Sequence, residues 1–327
     1  MTQKTDFSKD LIKLIDVKKT ATDIAESLKN TVFNVLKRKG AIVGISGGID
    51  SSVTLALAVQ ALGSDKVIGI MMPEHDSSPD SKKLALELAE KFKVKTIEEN
   101  MTAALTGFGC YSRRDEAVKS VVPGFNPEKD KFKIEIKQNV SNMKLPPIFY
   151  VTVYFANGTV ESKMLQMKAY LQIVAASNFK QRSRMSMLYY HAEANHYAVI
   201  GTPNKHEVQQ GFFVKYGDGG ADVMPIGHLF KTQVYELAWY LGIPEGIINR
   251  TPTTDTYSAE QTQEDFFYQL PFETMDLIWY GWENGYTPEE IGKVMNYTAE
   301  EVSNIFTSFE RKVHTTEYLR MAPIHYQ

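Results

Sequence analysis

The first hundred residues alternate between short β-branched runs and longer stretches of helical composition, and this alternation restricts the fold more than any other feature. "AIVGIS" (41–46) reads as a buried strand, "SSVTLALAVQAL" (51–62) as a helix closed by Gly63, and "KVIGIMMP" (66–73) as a second strand. "SPDSKKLALELAEKF" (78–92) reads as a second helix and "KVKTIEE" (93–99) as a third strand. Strands separated by helices pair in parallel and bury both faces of the sheet. The pattern therefore predicts an α/β fold, a doubly wound parallel sheet.

The rest of the chain elaborates that body. From about 104 to 168 the pattern turns to period two: "FKIEIKQ", then two runs around an Asn157-Gly158 hairpin turn. A small β insertion is expected there, either a surface elaboration or dimer contact, or a lid on a substrate. A long helix (169–195), a strand "YAVIGT" (197–202), a glycine-rich stretch (211–227) and a helix (231–242) follow. The region from about 265 to 327 is expected to be helical, with capping boxes at Thr287/Glu290 and Thr298/Glu301. Its second helix opens with Glu300 and Glu301 rather than a basic row, which favours packing over DNA reading. The whole is expected to be one domain, 1–327.

Composition excludes several functions. The 327 residues carry a formal charge of −3, against non-specific nucleic-acid binding, and 43% hydrophobic residues, ordinary for a globular chain. The apolar runs are strand-sized, the N-terminus lacks a signal core, and the single cysteine, Cys110, suits a cytoplasmic location.

The turn between the first strand and its helix, "SGGIDSS" (46–52), carries the chemistry. Ligands settle where parallel strands end. Glycines let main-chain amides approach such a ligand, and the helix start adds about half a positive charge. Gly47, Gly48, Ser51 and Ser52 thus form a candidate phosphate cradle. No Walker lysine is present, and Asp50 would repel phosphate unless a cation lay between them. Phosphate plus Mg²⁺, with Asp50 as a ligand, answers that conflict. A plain strand-to-helix turn is the alternative.

The string S-G-G-x-D-S-S resembles the pyrophosphate loop of the N-type ATP pyrophosphatases, of adenine nucleotide alpha hydrolase-like fold. "NFKQRSRM" (178–185), "GTPNKHEVQQGFFVKYGDGGAD" (201–222), "LFKTQVYELAWYLGIPEGI" (229–247) and "PTTD" (252–255) resemble the ammonia-dependent NAD synthetases among them. The resemblance implies ATP-dependent amidation of deamido-NAD through an adenylate, releasing AMP and pyrophosphate. It gives residues 44–52 (Gly44, Ile45, Ser46, Gly47, Gly48, Ile49, Asp50, Ser51 and Ser52), Thr202, Lys231 and Thr253 to ATP. Glu207 would join Asp50 on Mg²⁺. Arg182, Lys215 and Asp222 would hold the dinucleotide. Lys231 would face the phosphates, and Asp218 is the candidate acceptor of a proton from ammonium. Lys180 and Arg184, four apart, share a helix face and could serve phosphates or surface pairs, while Arg182 is rotated about 200° from Lys180.

The chain departs from the family in two places. The insertion is long, and no His-Lys pair occurs near the C-terminus, where His314 and Arg320 are the available substitutes. Cys110 has no organised base beside it in sequence, so ammonia is expected free or from a separate glutaminase. Two other readings stay open: an adenylating amidotransferase with another carboxylate, and a nucleotide-binding protein without catalysis. A homodimer is expected by resemblance; membrane and nucleic-acid partners are not.

Overall fold

The computed structural model describes residues 5–253, 257–263 and 267–326. Its strands are β1 (Ala41–Gly44), β2 (Val67–Met71), β3 (Lys95–Glu98), β4 (Lys131–Ile136), β5 (Phe149–Tyr154), β6 (Val160–Met164) and β7 (Ala198–Ile200). The helices of the first half are α1 (Val17–Asn30), α2 (Ile49–Leu62), α3 (Pro79–Phe92), α4 (Thr102–Gly107), α5 (Cys110–Val121) and α6 (Met167–Asn195). Those of the second half are α7 (Lys205–Gln210), α8 (Lys231–Leu241), α9 (Glu245–Ile248), α10 (Phe272–Glu283), α11 (Pro288–Met295), α12 (Ala299–Thr315) and α13 (Glu317–Arg320).

The main sheet runs β3-β2-β1-β7, every pair parallel, so the doubly wound reading holds. Alternation along the strands separates two apolar faces. Ala41 and Val43 of β1 join the core built with α1, α2, α3 and α8, whereas Ile42 packs with Met185 and Leu188 of α6 on the opposite face. Helix α2 is buried almost all round, and Val53, Leu55 and Leu57 are fully covered. Burying one such side chain stabilises the fold by roughly 1.5–3 kcal/mol, so α2 is anchored rigidly behind the glycine loop. The strand order reverses direction between β1 and β7. Loops from neighbouring strands part there and leave a crevice at the strands' C-terminal ends.

A second, antiparallel sheet, β4-β5-β6, stands apart from the first. Its inner residues Phe132, Ile134, Val151 and Val153 pack on α5 and the start of α6. The hairpin closes at Gly158, whose φ of 86° suits glycine. The stretch expected to be a β insertion is thus only partly β: α4 and α5 occupy 102–121. Its polar, unperiodic "CYSRRDEAVKSV" masks a helix that tertiary packing on α6 and the second sheet stabilises.

The C-terminal helices form their own aromatic core around Trp279, Tyr268 and Phe309. Both expected capping boxes are present: Thr287 with Glu290, and Thr298 with Glu301. Among the described residues no helix is long and apolar enough to cross a membrane.

Candidate active site

The crevice at the β1/β7 divide opens into a cavity of about 740 Å³. Its floor is the loop leaving β1. Gly47 takes φ +73°, and a Cβ there would come within 2.7 Å of the Ser81 carbonyl oxygen, so glycine is required twice over. Gly48 is the N-cap of α2, and its carbonyl accepts the hydroxyls of Ser51 (2.9 Å) and Ser52 (2.8 Å). These bonds hold the loop against the helix start, whose first-turn amides point into the crevice. Gly44, Ile45, Ser46, Gly48, Ile49, Asp50 and Ser51 line the cavity. Gly47 and Ser52 do not; fully covered Ser52 braces the loop from behind.

Asp50, in the first turn of α2, sits at the centre. Its Oδ2 accepts the Lys231 ammonium at 2.5 Å, and its Oδ1 accepts Asn204 Nδ2 at 3.3 Å. Asn204 caps α7 and is tied reciprocally to Glu207: Asn204 N–H donates to Glu207 Oε2 (2.9 Å), and Glu207 N–H donates to Asn204 Oδ1 (3.3 Å). One asparagine therefore links both acids expected on the metal, although they lie far apart in sequence. Sequence reading overlooked it, yet "NKHE" (204–207) carries an N-x-x-E capping signature, the asparagine counterpart of the T-x-x-E boxes near the C-terminus.

The electrostatics follow from this crowding. Burial, and then the nearby Asp50 charge, push the Glu207 carboxyl up to about 8. Burial alone would lower the Lys231 ammonium, but the carboxylates of Asp50 and Glu207 outweigh it and raise it. The cluster is thus short of positive charge. Two hard carboxylate oxygen donors with phosphate room beside them fit Mg²⁺, which takes few protein ligands and fills the rest with substrate oxygens and water. Among the described residues no group of three or more His, Cys, Asp or Glu could hold a metal by itself.

The far wall is formed by α6, the 211–218 loop and the C-terminal segment. Arg182, Lys215 and Asp218 line it, and Thr202 and Thr253 also line the cavity. Arg182 Nε donates to the Lys215 carbonyl (3.1 Å). Lys215 itself donates to the carbonyls of Tyr318 and Met321, both at 2.8 Å. Burial raises the Asp218 carboxyl to about 6, although it accepts the Val214 N–H at 2.8 Å.

Several expected residues lie elsewhere. Asp222 is outside the cavity: its carboxylate accepts the Val199 N–H and the Tyr189 hydroxyl beside β7, a sheet-edge tie rather than a cavity wall. Of the two places open to Lys180, it takes the ion pair, though buried rather than on the surface: it is 1% exposed and bonded to Glu74 (3.1 Å) and Asp76 (2.6 Å), which also pairs with Arg114. Arg320 is spent on backbone carbonyls of 208, 209 and 313, and His314 is absent from the lining; Tyr318 and Leu319 reach the cavity instead. The Cys110 thiol is buried, bonded to the Ala176 carbonyl and raised in pKa by desolvation, which disfavours a nucleophile. Of the "PTTD" segment, Thr254 and Asp255 lie outside the described residues.

A parallel sheet whose switch point carries an SGGxDSS turn and two facing acids defines the N-type ATP pyrophosphatase class. Within it, the chain belongs to the NAD synthase family, whose pattern matches residues 20–122 and 149–320. The unmatched 123–148 contains β4, so the second sheet's first strand lies outside the residues the family pattern matches. The NH(3)-dependent NAD(+) synthetase of Mesorhizobium japonicum is 44% identical over 95% of this chain and 97% of its own length. That of Methanocaldococcus jannaschii is 32% identical over 88% and 93%. In fold, the chain is similar to an NMN synthetase from Francisella tularensis (TM-score 0.64, 23% identity, 95% of this chain and 99% of that one). It is similar also to the NH3-dependent NAD synthetase of Campylobacter jejuni (TM-score 0.61, 19% identity, 96% and 100%).

Proposed function

We propose that this protein is an ammonia-dependent NAD synthetase, a ligase that converts deamido-NAD, ATP and ammonia into NAD, AMP and pyrophosphate. The observation that carries the reading is the meeting of Asp50, Glu207 and Lys231 at the mouth of the SGGxDSS loop. The loop amides and Ser51 cradle the β- and γ-phosphates, and Thr202 and Thr253 bound the nucleotide. Asp50 and Glu207 hold Mg²⁺, which when bound draws negative charge off the phosphate oxygens. Lys231, kept charged by the same acids, neutralises the departing pyrophosphate.

The nicotinate carboxylate attacks the α-phosphorus and displaces pyrophosphate, giving an acyl adenylate. Ammonia then adds to the acyl carbon and AMP leaves. Arg182 and Lys215 hold the dinucleotide's anionic groups on the far wall. Asp218, at a pKa near 6, is ionised at neutral pH and takes the proton from ammonium, leaving neutral NH₃ to react.

The same reading makes the chain one catalytic domain with added elements, a homodimer, and a cytoplasmic enzyme fed by free ammonia or a separate glutaminase. A purified-protein assay with ATP, Mg²⁺, ammonium and deamido-NAD tests it. NAD and AMP formed together are the expected result. AMP formed only with another carboxylate moves the acceptor and keeps the adenylation, and no turnover of any acid leaves nucleotide binding without catalysis.

A further inference from the structure

The geometry points to Asp276 as a positioning residue that sets Lys231 and Glu207 relative to one another, through bonds to the residue next to each. Asp276 lies on α10, in neither of the elements that carry the site, and it is fully buried. Its Oδ2 accepts both the backbone N–H (2.8 Å) and the hydroxyl (2.7 Å) of Thr232, which follows Lys231. Its Oδ1 accepts His206 Nε2 at 2.6 Å, and His206 precedes Glu207.

Each arm answers a local need. The N-cap of α8 is Phe230, which has no side-chain oxygen, so the first turn of that helix lacks its usual acceptor. Asp276 supplies one from another helix, and its negative charge suits that helix end. The second arm depends on one tautomer of His206. Lys312 donates to Gln210 Oε1 (3.4 Å), which turns the Gln210 amide nitrogen toward His206 Nδ1 (3.0 Å). Nδ1 is then an acceptor, and Nε2–H is free to donate to Asp276. One carboxylate thus pins the starts of α7 and α8, and with them Glu207 and Lys231 on either side of Asp50. Displacing a catalytic charge by about 1 Å can reduce turnover roughly 10²-fold.

The inference rests on the reading that Lys231 and Glu207 serve ATP, and a double-mutant cycle tests it. Asp276→Asn is expected to lower kcat roughly 10–10²-fold, with KM for deamido-NAD much less affected. In a Lys231→Ala background the same change is expected to cost markedly less, because one of the two groups it positions is gone and only the Glu207 arm remains. Equal fold-losses in the two backgrounds would mean a merely structural role and would overturn the proposal. Thr232→Val, which keeps the N–H and drops the hydroxyl bond, gives a smaller loss with the same dependence and carries the test if Asp276→Asn does not fold. The cycle is also read as Mg·ATP affinity by calorimetry. Non-additive affinities without NAD formation would remove deamido-NAD as substrate while sustaining the role of Asp276. Additive affinities alongside NAD formation would do the reverse.

Discussion

The Lys231 ammonium meets the Asp50 carboxylate at 2.5 Å across 181 residues of sequence. Lys231 is fully buried, and the facing Asp50 carboxylate, ahead of Glu207, raises its ammonium above the ordinary lysine value. The three groups are therefore one electrostatic unit, and changing any member changes the others.

Replacing Lys231 by alanine should reduce turnover by roughly 10²–10³, the usual loss on deleting one preorganised charge-stabilising donor. Pyrophosphate release in a single turnover measures it directly. Turnover equal to the parent's would place Lys231 outside the chemistry.

Asp218 offers a pH test. Its carboxyl is raised from 3.8 to about 6 by burial, so between those pH values the folded state binds more proton than the unfolded one. Its contribution to stability is greatest below pH 4 and is lost as pH rises through about 6. The melting temperature of Asp218→Asn relative to the parent should therefore climb between pH 4 and pH 7. At fixed low free ammonium the variant should lose activity at neutral pH, and full activity there would remove the proton-accepting role.

Gly47→Ala should strain the phosphate loop. The left-handed φ alone costs about 1–2 kcal/mol, and the Cβ would also press on the Ser81 carbonyl at 2.7 Å. ATP affinity should drop at least about tenfold with stability, since about 1.4 kcal/mol lost from the bound loop is a factor of ten. Gly158→Ala in the hairpin meets nothing within 4 Å and should lower the melting temperature alone. Calorimetry and thermal melts on both variants separate the two effects.

Lys215 ties the C-terminal segment to the cavity wall through two carbonyls. Lys215→Met should release residues 318–326 to faster limited proteolysis and raise KM for the dinucleotide more than it lowers kcat. Unchanged digestion together with unchanged KM would mean that the tie is incidental.

Legibility in the sequence followed the range of the interactions concerned. The strands and helices around 41–99 could be read because alternation and periodicity are local properties of neighbouring residues. The glycine loop could be read because a bare amide turn must use glycine wherever it occurs. Helix α5 could not, since its stability comes from Val118 and Ala117 packed on a distant sheet rather than from its own pattern. Asp222 and Lys180 show the same limit: a motif names the residue type, while the neighbours decide whether its charge faces a cavity or a buried partner.

The chain's order of residues by itself determined the parallel sheet, the SGGxDSS turn at its edge and the residue types a phosphate–magnesium site needs. Only the tertiary structure decided that Asp50, Asn204, Glu207 and Lys231 converge, and that Asp276 of α10 braces two of their helices. Backbone geometry is set within a few residues. Charge compensation acts through space between segments that the fold alone brings together.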